Sequence, residues 1–84
     1  MTIKQELVTF IETHLVGDDL GAPLTDDTDL IESGIVDSMG LMRIVTFLED
    51  RAGVRVPDDE VAPDNFATIT AITELTERLR ARKG

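Results

Sequence analysis

Apolar residues return at helical intervals in three separate stretches, and between those stretches the periodicity lapses. In residues 2 to 16, Ile3, Leu7, Phe10, Ile11 and Leu15 fall at i, i+4, i+7, i+8 and i+12, a single stripe on one helix. Thr2 and Gln5 stand at the spacing of a capping box, and Gly17 sits where a glycine ends a helix. Residues 38 to 52, SMGLMRIVTFLEDRA, predict a second helix. At roughly 100° per residue its core stripe is Leu41, Ile44, Val45, Leu48 and Ala52. Residues 68 to 82 predict the last long helix, with Ile69, Ile72, Leu75 and Leu79 on one face. Its basic end, RLRARK, complements the negative end of the helix dipole.

The segments between carry turn chemistry. Residues 17 to 37, GDDLGAPLTDDTDLIESGIVD, show no sustained period and read as a long loop. A loop of that length in a small domain is either functional or packed down. Leu20, Leu24, Leu30, Ile31, Ile35 and Val36 are the residues that can anchor it. After Gly53, VRVPDDEVAPDNF predicts a short helical turn beginning near Pro57, where a proline followed by acids suits a helix start. Aromatic residues make up 4% of the chain and β-branched residues do not alternate, so no strands are expected. The expected fold is all-α: a small four-helix bundle with three long helices and one short, a long loop between the first two, and one domain spanning residues 1–84.

The second helix has more apolar surface than one stripe needs. Met39, Met42 and Thr46 gather on a flank away from Leu41, Ile44 and Leu48. Either this helix is buried on two sides, or the flank meets a partner, for which methionine's flexible side chain is suited.

Charge and composition then limit the chemistry. Seventeen acidic against 8 basic residues give a net charge of -9, which repels nucleic-acid phosphates and steers the chain toward basic protein patches. At 42% apolar the chain is too hydrophobic for disorder. With no cysteine among 84 residues, disulfides, thiolate nucleophiles and sulfur-ligated metals are excluded. No apolar run approaches the roughly 20 residues that cross a bilayer, and MTIKQELVTF lacks the order of a signal peptide, so a cytoplasmic protein without membrane insertion is expected.

Neither register of the acids between Asp26 and Asp37 satisfies a calcium loop: starting at Asp29 places Ile31 third and Gly40 twelfth, and starting at Asp27 places Ile31 fifth. No metal site is expected. The single histidine, His14, falls on or beside the core face and is expected to be packed and hydrogen-bonded. A triad of Ser38, His14 and an aspartate has no oxyanion hole or substrate pocket behind it, so no catalytic residue is assigned.

Ser38, in GIVDSMGLM, remains. It or Asp37 can cap the second helix, which needs no function. The same position also favours an attached anion, because backbone N–H groups and the helix dipole both point at it.

DSM preceded by LIESGIV and followed by an amphipathic helix resembles the phosphopantetheine attachment motif of acyl carrier proteins. The resemblance extends over essentially the whole chain, through LED at the end of the second helix, the Val56–Pro57 turn and the F-x-T-I that opens the last helix. It implies that a phosphopantetheinyl transferase moves 4'-phosphopantetheine from coenzyme A onto the Ser38 hydroxyl. The thiol then holds an acyl or aminoacyl group as a thioester. Asp37 would be a transferase contact, and Met39, Met42, Arg43, Thr46, Glu49 and Asp50 the surface read by partner enzymes. Such a carrier acts as a monomer and is itself no enzyme.

The chain departs from fatty-acid-type carriers at Gly40 and Arg43, where acids are common. A glycine inside a helix costs about 1 kcal/mol, and Arg43 reverses the charge offered to a basic docking groove. DSMG looks more like D-alanyl carrier proteins, and PDNFATITAI resembles free-standing peptidyl or aminoacyl carriers. The expectation is a discrete carrier loaded by an adenylating ligase and serving acyltransferase, condensation or tailoring enzymes, in secondary metabolism or envelope biosynthesis. A fatty-acid or polyketide carrier is the alternative within the family. An acidic helical interaction module, with Ser38 only a cap, is the alternative outside it.

Overall fold

The structure, a computed structural model, describes residues 2–16 and 24–82. Gly17 and Leu20, the expected helix stop and loop anchor, lie outside these residues. Helix α1 is Ile3–Ile11 and α2 is Ser38–Phe47. A four-residue α3 is Pro63–Phe66, and α4 is Ile69–Arg82. No strand is found among the described residues.

The capping box at the start of α1 forms as the spacing predicts: Gln5 N–H donates to the Thr2 hydroxyl and the Thr2 N–H to the Gln5 side chain. Both α1 and α2 are shorter than expected in regular α geometry. Each widens into a π-helical turn, Glu12–Val16 after α1 and Leu48–Ala52 after α2. Gly53 ends the second at φ 70°, a left-handed conformation that costs glycine nothing.

The expected stripes meet in one core. Leu7 and Ile11 of α1, Ile44 and Val45 of α2 with Leu48 beyond it, and Ile69, Ile72, Leu75 and Leu79 of α4 are all buried. Thr76 is buried with them and spends its hydroxyl on the Ile72 carbonyl at 2.8 Å, so that hydroxyl is not left orphaned. The described part of the long loop is packed down. Leu30 and Val36 are fully enclosed, the Leu30 N–H donates to the Ala67 carbonyl at 2.7 Å, and the Val36 N–H returns to the Leu30 carbonyl at 2.8 Å. Lys4 pairs with Asp26, which ties α1 to the same loop.

The short helical turn expected near Pro57 is present, and a second turn that the hydrophobic period did not announce follows it. Pro57 caps a 3-10 turn, Asp58–Glu60, and an α-helical turn starts at Pro63. Pro63 occupies the first helical position, where its missing N–H costs no bond, and Asp64 follows in the positively polarised first turn. This turn buries Phe66 completely. Before it, Val54 and Val56 point inward around exposed Arg55.

Candidate functional site

Helix α2 begins with a division of labour. Asp37, extended at φ -102° and ψ -169°, is the N-cap, and its Oδ1 accepts the Gly40 N–H at 2.8 Å. Its carbonyl accepts from Leu41 at 2.8 Å. Ser38 is therefore the first helical residue rather than the cap. It is exposed, and its hydroxyl makes no hydrogen bond among the described residues. The N–H groups of Ser38 and Met39 precede the first helical hydrogen bond, so they stay available to an anion at this end of the helix.

Gly40 lets this start pack tightly. A Cβ there would stand 3.3 Å from the capping oxygen of Asp37 and 3.6 Å from Leu15. Upstream, the Asp29 carboxylate accepts the N–H groups of Ile31 and Glu32 at 3.1 and 2.8 Å, and Gly34 turns the chain at φ 83°. These acids act as local turn formers.

The second flank of α2 is solvent-facing. Met39 is 68% and Met42 54% exposed, whereas Ile44 and Leu48 on the core side are at 0%. Thr46 is exposed as well, with its hydroxyl returned to the Met42 carbonyl at 3.1 Å. Between this flank and α1 runs an open groove of about 800 Å³. Its aromatic side is Phe10 stacked on Phe47, with ring centroids 4.7 Å apart and planes at 29°. Met42, Arg43, Thr46 and Asp50 line one wall, and Thr9, Thr13 and His14 the other. Arg51 also lines it and is held by Glu6 at 2.8 Å.

His14 is exposed rather than packed and hydrogen-bonded, and its only described partner is the Phe10 ring at 5.0 Å. The π turn rotates each residue through a smaller angle than an α-helix does, so His14 stops short of the face that regular α geometry would give it. His14 also lines a small cleft with Asp37, Met39 and Gly40, but makes no hydrogen bond to Ser38 or Asp37. Glu49, grouped by sequence with the partner-facing residues, accepts the Val56 N–H at 3.1 Å and is absent from the groove lining. No local pattern announces that bond, because it spans the turn after α2.

Ser38 is thus an exposed serine at a helix start, capped by its neighbour and with no hydrogen-bonded base among the described residues. The chain belongs to the phosphopantetheine attachment site family, whose model matches residues 13–80. It is 36% identical over 80 residues to a D-alanyl carrier protein of Streptococcus sanguinis (strain SK36), covering 95% of this chain and 98% of that protein. A probable acyl carrier protein, PigG, of Serratia sp. (strain ATCC 39006) is 32% identical over 79 residues, covering 94% and 90%. Among solved structures, a chain from a crystal structure described as that of an FAD-dependent dehydrogenase superposes with a TM-score of 0.75. It is 27% identical and covers 84% of this chain and 99% of its own.

The protein is thus a carrier whose prosthetic group is covalent 4'-phosphopantetheine. The start of α2 suits that group: a hydroxyl and first-turn amides that have no partner among the described residues, the one to esterify and the others to face the phosphodiester. Among the described residues no helix is long and apolar enough to cross a membrane.

Proposed function

We propose that Ser38 carries the arm, and that the protein is an aminoacyl carrier serving envelope biosynthesis or secondary metabolism in the cytoplasm. A phosphopantetheinyl transferase forms the Ser38 Oγ–phosphorus bond and breaks the pyrophosphate of coenzyme A, releasing adenosine 3',5'-bisphosphate, with the serine proton leaving to the transferase. An adenylating ligase then loads the thiol, and downstream acyltransferase, condensation or tailoring enzymes unload it. One observation carries this reading: the Ser38 hydroxyl is exposed and idle because Asp37 alone caps the helix. The D-alanyl carrier relatives support aminoacyl cargo. Exposed Met39 and Met42, beside Arg43 and Asp50, support partner recognition along α2.

Intact mass after incubation with coenzyme A and a broad-specificity transferase tests the attachment. The parent is expected to gain one phosphopantetheine unit, and Ser38→Ala none. No gain from a folded parent beside a positive control would make Ser38 an ordinary helix-start residue. The likeness to a chain in a dehydrogenase structure favours a second reading, in which the thioester is presented to a flavin-dependent enzyme. Flavin reduction on mixing loaded carrier with such an enzyme tests it.

A further inference from the structure

We infer that the arm on Ser38 lies in the groove between α1 and α2 and brings the amino group of its cargo to Asp50. This rests on the proposed attachment at Ser38 and on aminoacyl cargo. Continuity is the first support. The small cleft beside the start of α2, bounded by Asp37, Met39 and Gly40, shares His14 and Arg43 with the large groove. Ser38 itself lies between two residues of that cleft's lining, Asp37 and Met39, so a flexible chain turned into the cleft is led to the groove.

Length is the second. At 1.5 Å per residue, Thr46 stands about 12 Å and Asp50 about 18 Å beyond Ser38 along the helix. From phosphorus to sulfur the arm has about thirteen bonds; at roughly 3.5 Å per three bonds of extended chain, it spans about 15 Å. An aminoacyl thioester adds about three bonds to its nitrogen, or roughly 3.5 Å more. The ammonium therefore falls level with Asp50.

Chemistry is the third. The arm alternates amides with methylene and methyl groups, and the groove sets the Phe10–Phe47 stack among Thr13, His14, Arg43 and Thr46. Asp50 is exposed and has no ion-pair partner among the described residues, whereas the neighbouring cation, Arg51, is already held by Glu6. A free carboxylate beside a neutralised arginine accepts an ammonium, and gives an uncharged acyl group no comparable contact.

The test uses ¹⁵N-labelled full chain converted with coenzyme A, alanyl-coenzyme A or N-acetylalanyl-coenzyme A, with conversion verified by intact mass. Amide resonances of Thr13, His14, Thr46 and Phe47 are expected to shift in all three products, and those of Asp50 and Arg51 only with the free amine. Thr46→Arg, at an exposed position, should abolish the groove shifts. It should also raise the reaction rate of the free thiol with an aromatic disulfide about threefold or more, as the protected population is lost. Thr13→Arg, from the opposite wall, should do the same. Shifts confined to residues 36 to 40 at full conversion would overturn the inference and leave the attachment standing. Equal shifts at Asp50 with both alanyl forms would overturn its assignment to the amine. Failure to gain mass would overturn both the inference and the proposed function.

Discussion

Gly40→Ala sets two effects of similar size against each other. Replacing a helical glycine by alanine gains about 1 kcal/mol. The new Cβ would meet Leu15 at 3.6 Å and Val36 at 3.7 Å, both ordinary contacts, but the Asp37 oxygen at 3.3 Å. That oxygen is the cap, bonded to the Gly40 N–H at 2.8 Å. Its side chain is exposed and can retreat by a few tenths of an ångström, which weakens a cap worth about 1 kcal/mol without breaking it. With half the cap lost, the net gain is about 0.5 kcal/mol, a rise in melting temperature of roughly 2–4 °C. Asp37→Ala alone should lose about 1 kcal/mol and melt roughly 4–8 °C lower. In the double variant no carboxylate meets the new methyl, so the full propensity gain returns and melting comes back to that of the parent. The coupling is about 0.5 kcal/mol, resolved by thermal and urea melts of the four proteins followed by circular dichroism. A Gly40→Ala chain less stable than its reference in both backgrounds would refute this reasoning, because the clash would then lie with Leu15 and Val36.

Two further substitutions address the rest of α2. Glu49→Ala removes the acceptor of the Val56 N–H and should lower stability by about 1 kcal/mol, or roughly 4–8 °C, while leaving phosphopantetheine uptake by mass unchanged. An unchanged melting temperature would mean that water replaces the carboxylate fully. Met42→Glu, at a side chain 54% exposed, should leave the melting temperature nearly unchanged and slow loading by the cognate ligase. A large fall in melting temperature would show that Met42 belongs to the core.

Much of this fold follows from local rules, and the exceptions share a cause. The Thr2–Gln5 capping box, the stripe of α4 and the two-sided character of α2 depend on residues within a few positions of each other. The π turns do not. Whether a helix keeps regular geometry or widens at Glu12 and Leu48 is settled by what packs against it, and that choice moved His14 out of its expected place. Helix α3 carried its own signal in Pro63 and Asp64, but four residues are too few for a period to register. The groove was beyond local reading altogether, since it exists only where Phe10 of one helix meets Phe47 of another. At the start of α2 the motif showed that Asp37 or Ser38 would cap; only the backbone geometry divided the roles.

That division has a thermodynamic corollary. Covalent modification alters the stability of a fold only through interactions that the folded state gains or loses by it. If Ser38 carries the arm as proposed, esterifying its hydroxyl removes no hydrogen bond to any described residue, and what changes at the serine is the phosphodiester charge beside the helix dipole and the Asp37 carboxylate. A difference in melting temperature between the unmodified and modified chains then sums that local charge effect with what the rest of the arm touches.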